Sequence, residues 1–419
     1  MSAAGTPVHT PMAPAAERPA YRDGNVLRWL GAYAASAVGD SIYYLALSWA
    51  ATRGGSPAQA GVVMAVSAVP RAVLMLGGGV VADRIGPRRV VIASDAARSL
   101  IVLGVAAALL VTSPGLWLLA AVAVVFGVLD ALFMPAVGAL PPRIAPPGQL
   151  ARIQGMRSLA SRAATVLGAP LGGIAVALGG PVTAFAVAGL LFVVSVPLLL
   201  GVRITPLPAD GAGRSGATAW RDLADGLRYV RRHRVLAPLL VVIALGDLGF
   251  VGPLNVGLAL LADERGWGAS GMGWILAGFG VGSGATALML AVRGRLPRAG
   301  LVQGLVLTVG ATGLAGLARV PSVVAAVGVA VTIGLLTGLS GTLCNALVQT
   351  ESDPAYLGRV TSLATLFSLG LAPLSFPVTG AAVDLWGTTP VFLASAAVCA
   401  AGGIYGLCAR ALRRAELPR

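Results

Sequence analysis

The sequence predicts an all-α membrane protein whose twelve transmembrane helices form two lobes of six, related by a parallel repeat. Three observations lead to this fold class: the composition, a series of long apolar runs and an internal repeat. Hydrophobic residues make up 57% of the 419 residues, charged residues 11%, and the mean hydropathy is +0.85. Because a soluble domain carries about 25% charged residues, this composition indicates that lipid is the main solvent of the chain.

Twelve apolar runs are long enough to cross a bilayer, since a transmembrane helix needs about 20 mostly apolar residues. Numbered as spans 1 to 12 in chain order, the runs cover residues 27–52, 59–82, 90–112, 116–140, 154–178, 181–201, 235–261, 270–292, 300–318, 321–347, 359–383 and 388–409. Strands of a membrane barrel would be shorter and would alternate apolar with polar residues. The runs lack this alternation, which favours a helical bundle.

The arginine distribution predicts the orientation in the membrane. Arginine supplies all 30 basic residues, and 24 of them fall on cytoplasmic segments if the N-terminus lies inside. Only Arg53, Arg265 and Arg319 then face outward, and this bias places both termini in the cytoplasm. The formal net charge of +14 therefore follows from topology. We expect no nucleic-acid partner, because the arginines are scattered over short segments and form no single basic patch.

The second half of the chain repeats features of the first at an offset of 207 residues. The recurring pairs include Asp40 and Asp247, Arg152 and Arg359, Pro170 and Pro377, and Gly180 and Gly387. Six spans per half is an even number, so both halves enter the membrane from the same side, as in a two-lobed transporter. The predicted domains are a disordered cytoplasmic tail (1–26), an N-terminal lobe (27–201), a cytoplasmic linker (202–234), a C-terminal lobe (235–409) and a second cytoplasmic tail (410–419).

The linker contains a predicted amphipathic helix. Its apolar residues recur at helical spacing opposite a row of arginines: Trp220, Leu223, Leu227 and Val230 against Arg221, Arg228, Arg231 and Arg232. We expect this helix to lie on the inner leaflet. Its arginines have two interpretations, namely recognition of anionic lipid headgroups or a basic connector that sets the topology.

A dense charged turn separates spans 2 and 3. It reads Gly-x-x-x-Asp-Arg-x-Gly-x-Arg-Arg, with its defined positions at Gly79, Asp83, Arg84, Gly86, Arg88 and Arg89. In this motif and its placement the chain resembles the major facilitator superfamily. Further stretches resemble the branch that contains enterobactin exporters and macrolide efflux proteins: Gly39-Asp40, Asp95-x-x-Arg98, Asp222-x-x-x-Gly226-Leu-Arg-Tyr-Val-Arg-Arg232 and Gly358-Arg359-Val360.

The resemblance implies a secondary transporter of the bacterial inner membrane that works by alternating access and needs no cofactor. It implies that spans 1, 4, 7 and 10 line a central cavity. It also implies that Asp83 faces the N-terminal end of span 11 and latches the cytoplasmic side shut, which the helix dipole makes physically reasonable.

Span 5 departs from the pattern of many exporters in this superfamily. They carry Gly-Pro-x-x-Gly-Gly, whereas this chain has Gly168-Ala-Pro170-Leu-Gly172-Gly173, with the proline shifted by one position. Small residues allow close helix approach, so plain packing and a role in setting the transport direction both remain open.

Four ionisable residues fall near the middle of the membrane. Counted at 1.5 Å per residue, Asp40, Arg71, Asp130 and Asp247 lie about 16–18 Å from the cytoplasmic ends of spans 1, 2, 4 and 7. An ionisable group at this depth needs a partner, a cavity or a proton, so these charges predict a transport site.

We interpret Asp40 and Asp130 as protonation candidates, with Arg71 holding one of them as a carboxylate, because desolvation and a nearby arginine shift a carboxyl pKa in opposite directions. The alternatives are a permanent Asp40–Arg71 ion pair and, for Asp40 and Asp247, packing against backbone groups. Tyr43, Asn255 and Asn345 are further candidates for the cavity.

Asp95 and Arg98 form a second predicted group. They lie one turn apart on span 3, only about 9–14 Å from its cytoplasmic end. That depth predicts a structural or gating ion pair near Asp83 and Arg84, with substrate contact as the lesser alternative.

Several absences in the sequence limit the chemistry. The chain has no lysine, which excludes an ATP-binding loop of the Gly-x-x-x-x-Gly-Lys type. The two histidines, His9 and His233, lie outside the spans, and no metal or enzymatic constellation is visible. We therefore expect a lipid bilayer, protons and a small molecule as partners, and no ATP.

Three functions stay open at this point. The first is a proton-coupled exporter of an amphipathic small molecule, such as a drug, siderophore or secondary metabolite. The second is an importer or facilitator with the same fold, because fold does not set direction. The third is a membrane scaffold or sensor that does not transport.

Overall fold

The computed structural model describes residues 20–112, 115–146, 149–204, 216–293, 298–353, 356–368 and 372–416; within these, the side chains of 75–83 and 216–223, among a few others, are left out. The described residues form helices and loops, with no strand among them. Helices follow from the sequence because apolar residues continue without alternation over lengths that cross a membrane.

The N-terminal lobe contains spans 1 to 6. Its long helices are Gly24–Gly54 for span 1, Pro57–Ile85 for span 2, Pro87–Val111 for span 3, Leu116–Gly138 for span 4 and Leu150–Leu200 for spans 5 and 6. Asp23 caps the first of them, because its carboxylate accepts a hydrogen bond from the Asn25 amide at 2.7 Å. Non-helical torsion angles at Gly179 and Gly180 divide spans 5 and 6.

The C-terminal lobe contains spans 7 to 12. Its helices are Leu236–Gly252, a π-helical turn Pro253–Gly257 and Leu258–Glu264 for span 7, Gly268–Arg293 for span 8, Ala299–Leu317 for span 9, Val323–Glu351 for span 10, Leu357–Leu366 and Ser375–Trp386 for span 11, and Thr388–Cys408 for span 12. The helix Gly216–Arg232 lies in the linker. Short helical turns occur at Ala20–Arg22, Pro141–Ile144, Ala372–Leu374 and Arg410–Arg413.

Length and composition support the membrane assignment. In the described part of the chain, 8 helices are long and apolar enough to cross a bilayer, and one of them, Arg152–Leu200, covers both span 5 and span 6. Span 11 is divided into two helices and so falls outside this group. The predicted all-α, twelve-helix fold with two six-helix lobes is confirmed. The exact domain limits and the orientation of the termini stay predictions.

The repeat is visible in the backbone. Gly180 has φ 71° and ψ −170°, and Gly387, 207 residues later, has φ 81° and ψ 172°. Both glycines are in the positive-φ region that disfavours other residues. They turn the chain from span 5 into span 6 and from span 11 into span 12, so the two lobes make the same connection in the same way.

Glycines bring the two lobes into close contact. A Cβ atom added at Gly61 in span 2 would lie 2.6 Å from the carbonyl oxygen of Phe376 in span 11. A Cβ atom added at Gly173 in span 5 would lie 2.6 Å from the carbonyl oxygen of Ala269 in span 8. The backbones can approach this closely only without side chains, as in other membrane helix pairs.

Polar contacts join the lobes at the same end of the bundle. The Ser48 hydroxyl donates to the Asn255 carbonyl oxygen at 2.7 Å, and these two residues are 207 positions apart. Arg53 and Asp263, at the ends of spans 1 and 7, form an ion pair of 2.9 Å. The bundle is therefore closed at the end that the arginine distribution places outside.

Candidate functional site

Arg98 lies at the centre of a buried charge cluster in the N-terminal lobe. Its side chain is fully buried, and one guanidinium nitrogen lies 2.7 Å from an Asp130 carboxylate oxygen. The other terminal nitrogen lies 3.5 Å from Asp95 and 3.6 Å from Asp40. One arginine thus connects carboxylates from spans 1, 3 and 4.

Aromatic rings hold the Arg98 guanidinium in place. Its central carbon lies 4.3 Å from the ring centre of Phe133, 5.1 Å from that of Phe126 and 5.8 Å from that of Phe192. Cations are attracted to aromatic ring faces at such distances, more strongly when water is excluded. Spans 4 and 6 therefore form an apolar cage around the Arg98 charge. Carboxylates from spans 1, 3 and 4 neutralise this charge.

Asp95 ties three helices together. Its carboxylate is fully buried and accepts hydrogen bonds from the hydroxyl groups of Ser36, at 2.6 Å, and Ser195. Because these serines belong to spans 1 and 6, both contacts hold span 3 against its neighbours. Asp95 has the satisfied hydrogen bonding expected of a structural buried carboxylate.

Asp130 and Asp40 differ in their surroundings. Asp130 is 6% exposed and contacts two arginines, Arg98 through one oxygen and Arg71 through the other at 3.2 Å. Asp40 is 23% exposed, and its oxygen nearest Arg98 has no hydrogen-bond partner in the described part of the chain. Asp40 is therefore the carboxylate of this cluster whose bonding is least complete.

The formal charges of the cluster do not balance. Two guanidinium groups, Arg71 and Arg98, face three carboxylates, Asp40, Asp95 and Asp130. A charge without compensation is costly in a buried environment. Binding of one proton would make the cluster neutral.

The predicted separation of the Asp95–Arg98 pair from the central charges is wrong. Arg98 contacts both Asp40 and Asp130. Depth was counted at Cα atoms of parallel helices, whereas the long arginine side chain carries its charge far from its backbone. The ion pair of Arg71 is with Asp130, so the alternative Asp40–Arg71 pair is wrong as well.

The predicted cavity residues fall into separate places. Tyr43 is fully buried and its ring stacks on Phe126 at 3.8 Å between centroids, so it belongs to the core and not to a cavity. Its neighbour Tyr44, which lies beside Arg71, is the tyrosine at the charge cluster. Asn255 lies at the lobe interface, where its carbonyl oxygen accepts the Ser48 hydrogen bond. Helical spacing alone could not distinguish the two tyrosines.

Asp247 and Asn345 line a pocket of their own in the C-terminal lobe. The cavity has a volume of about 420 Å³ and is lined by residues of spans 7, 9, 10, 11 and 12. Asp247 accepts a hydrogen bond from the Ser368 hydroxyl. Asn345 donates a hydrogen bond from its side-chain amide to the Gly341 carbonyl oxygen at 2.9 Å. Asn345 and Gly341 are both exposed and line the pocket. Asp40 and Asp247 therefore belong to two distinct sites.

The charged turn between spans 2 and 3 is only partly described. Gly86 has φ 98° where span 3 begins, and Arg88 donates a hydrogen bond of 2.6 Å to the Leu200 carbonyl oxygen at the end of span 6. Arg84 and Arg89 are exposed. The surroundings of Gly79 and the side chain of Asp83 lie outside what the structure describes, so the latch role of Asp83 stays a prediction.

The span-5 glycines are packing residues in the structure. A Cβ atom added at Gly168 would lie 2.6 Å from the Ser41 side chain, and one at Gly172 would lie 3.3 Å from the Ile42 backbone. Both neighbours belong to span 1, whereas Gly173 packs against span 8. Pro170 lies within the same helix. The motif thus holds span 5 between the two lobes, and its role in transport direction stays untested.

Comparison with known proteins identifies the family. A sequence model described as Major Facilitator Superfamily matches residues 29–368. The chain belongs to the major facilitator superfamily. This confirms the resemblance carried by the turn between spans 2 and 3, and it makes the chain a multi-pass membrane transporter. The family and the relatives below are transporters and not enzymes.

Two curated relatives of this superfamily member are exporters. The chain is 28% identical over 402 residues to the multidrug efflux pump Tap of Mycobacterium tuberculosis, covering 91% of this chain and 92% of that protein. It is 26% identical over 297 residues to the enterobactin exporter EntS of Escherichia coli, covering 70% of this chain and 68% of that protein. EntS matches the enterobactin exporters of the branch that the short motifs indicated, and both relatives are exporters.

A solved structure shares the fold. The nucleoside transporter NupG, solved as a mutant, matches with a TM-score of 0.75 at 12% identity, over 93% of this chain and 100% of that one. At this identity the likeness concerns the fold of the superfamily member and not its substrate.

Proposed function

We propose that this transporter exports an amphipathic small molecule in exchange for protons, and that Asp40 is the carboxyl group that takes up and releases the proton. The observation that carries this proposal is the charge cluster around Arg98, in which three carboxylates face two guanidinium groups. A proton-coupled carrier needs a buried group that is acceptable in both protonation states.

Asp40 suits this role better than Asp130. Both oxygens of Asp130 contact an arginine, so its carboxylate is held in two ion pairs. Asp40 has one longer contact of 3.6 Å to Arg98, an oxygen without a hydrogen-bond partner in the described residues, and partial access to solvent. Protonation of Asp40 would remove the excess negative charge without breaking the shorter pairs.

The closure of the bundle supports alternating access. Glycine contacts and the Arg53–Asp263 ion pair join the lobes at the end predicted to lie outside. We infer that the cytoplasm is the accessible side in this state. In this state an exporter would release its proton and load its substrate, and opening at the Arg53 end would reverse both steps.

Two observations support export of an amphipathic compound. The relatives Tap and EntS are named as exporters, and they share most of their length with this chain. The pocket at Asp247 combines apolar lining with a few polar groups, which is typical of sites for drug-sized molecules.

Expression in an efflux-deficient bacterium tests the proposal. We expect cells that make the protein to accumulate less of at least one amphipathic compound from a panel, and we expect an uncoupler to abolish this difference. Asp40→Asn should remove uphill export at normal expression, whereas the matched control Asp225→Asn, on the exposed surface of the linker helix, should export like the parent.

Each other outcome has a distinct meaning. Unchanged accumulation across the panel would argue against export of those compounds and favour import, facilitation or a scaffold. Export that persists with an uncoupler would contradict proton coupling. Normal pumping by Asp40→Asn would contradict the role of Asp40 alone.

A further inference from the structure

The described wall of the cavity in the C-terminal lobe contains one carboxylate and no cationic side chain. Asp247 lines a cavity of about 420 Å³, and within the described residues its carboxylate accepts a hydrogen bond from the Ser368 hydroxyl. The wall combines Phe250 and Leu336 with the polar residues Gln303 and Ser340. Gln303 and Ser340 hydrogen-bond to each other at 2.7 Å.

The repeat explains why this space is open. Asp40 and Asp247 are equivalent positions, but two of the three aromatic residues that surround Arg98 have small equivalents in the second lobe, while Phe126 corresponds to Ile333. At an offset of 207 residues, Phe133 corresponds to Ser340 and Phe192 to Cys399. Both Ser340 and Cys399 line the cavity. The first lobe is thus filled where the second lobe is hollow.

The two arginines of the charge cluster, Arg71 and Arg98, have no equivalent either. Span 9, the counterpart of span 3, contains no charged residue from Ala299 to Ala318, and Arg71 corresponds to Gly278. In the first lobe the protein supplies the guanidinium that faces Asp40. In the second lobe the equivalent carboxylate, Asp247, faces an open volume. This volume is large enough for a cation that is a ligand and not part of the protein.

We infer that this pocket binds the nitrogen-bearing cationic group of an organic monocation, with Asp247 as its counter-ion and Phe250 and Leu336 against its apolar part. The inference rests on the proposed function and names the substrate class of that transporter. A carboxylate in a low-dielectric pocket attracts a cation more strongly than it would in water. An organic cation of moderate size also matches the volume of the cavity.

A binding measurement without any gradient tests this inference. Purified protein in lipid nanodiscs is titrated with rhodamine 6G, a fluorescent organic cation, and with Nile red, a neutral dye of similar size. Asp247→Asn should weaken rhodamine 6G binding by about tenfold or more, because a buried charge pair is lost, and should leave Nile red binding nearly unchanged. Asp247→Glu, which keeps the charge, should retain most of the affinity, and Asp225→Asn is the matched surface control.

A second variant tests the volume of the site instead of its charge. Ser340→Phe places in the second lobe the aromatic residue that the first lobe has at Phe133. It should weaken binding of both dyes, because the ring occupies the cavity. Equal rhodamine 6G affinity in Asp247→Asn and parent would overturn the inference, whether or not transport is coupled to protons.

Protection from labelling provides a measurement that leaves Asp247 intact. Asn345→Cys places a thiol on an exposed part of the pocket wall, and the native Cys408 is exposed outside the pocket. Saturating rhodamine 6G should slow maleimide labelling of the introduced thiol, while labelling of Cys408 continues at its original rate. An unchanged rate at position 345 would also overturn the inference. Failure of the proposed function would appear separately, as export that does not respond to an uncoupler.

Discussion

At the scale of single residues, Arg98 is the position on which most of the buried charge depends. Arg98→Met would keep the packing volume but leave Asp40, Asp95 and Asp130 without their shared cation. Removing one partner from a buried ion pair costs about 3–5 kcal/mol, so we expect a large loss of unfolding free energy in detergent. Adding Asp130→Asn to this variant should restore part of the loss. The exposed Arg228→Met is the control, and equal stability of both arginine variants would contradict the account.

At this scale the sequence indicates the charges, the Asp95–Arg98 pair and a carboxylate partner for Arg71, but not the contacts of Arg98 with Asp40 and Asp130. Asp40, Asp130 and Arg71 could be singled out because ionisable groups are rare in apolar spans. The direction of a long side chain depends on helix tilt and rotation, which no sequence spacing defines. Depth alone therefore predicts a structural or gating pair for Arg98, although its side chain also contacts the central carboxylates. Phe133 and Phe192 gave no signal at all, since phenylalanine in an apolar run is normally plain core.

At the scale of helices, the apolar runs predicted most elements well. Span 3 was expected at 90–112 and is observed as Pro87–Val111. Span 11, expected as one helix, is divided into two. Pro373 lies between its two helices and has no amide hydrogen to donate, but hydropathy does not register this effect. Apolar length thus predicts that a segment crosses the membrane, whereas breaks within it depend on backbone hydrogen bonds.

The contact between spans 5 and 8 gives an element-scale prediction. Gly173→Ala adds a methyl group 2.6 Å from the Ala269 carbonyl oxygen, so the two helices must separate. Gly155→Ala on the same helix is the matched control, because nothing lies within 4 Å of its added methyl group. Spin labels at the exposed residues Val111 and Val324 should report a longer distance between the lobes in Gly173→Ala only. Equal distances in both variants would show that this glycine contact does not control closure.

At the scale of the whole molecule, the two lobes have one topology and different interiors. The repeat and the arginine distribution predicted the two-lobed arrangement, and the matching turns at Gly180 and Gly387 show the repeat in the backbone. The closed end of the bundle was not predictable, because every state of an alternating-access transporter has the same sequence. The hollow at Asp247 was not predictable either, since it depends on how five helices pack around small residues.

A proton site in the N-terminal lobe and a substrate site in the C-terminal lobe predict how protons and substrate influence each other's binding. If Asp40 holds the exchanged proton and Asp247 holds the cation, exchange requires that binding at each site weaken binding at the other, and linkage makes the factor the same in both directions. Rhodamine 6G affinity should therefore be higher in neutral than in acidic buffer in the parent, because a proton on Asp40 opposes the cation at Asp247.

In Asp40→Asn the difference in rhodamine 6G affinity between acidic and neutral buffer should be smaller. The part that remains is due to protonation of the Asp247 carboxylate itself. The measurement is the rhodamine 6G dissociation constant in acidic buffer divided by that in neutral buffer, determined for the parent and for the variant. Asp225→Asn is the control for a lost surface carboxylate. An identical ratio in parent and Asp40→Asn would mean that the lobes act independently, because in a coupled exchanger the coupling free energy appears as RT times the logarithm of the quotient of the two ratios.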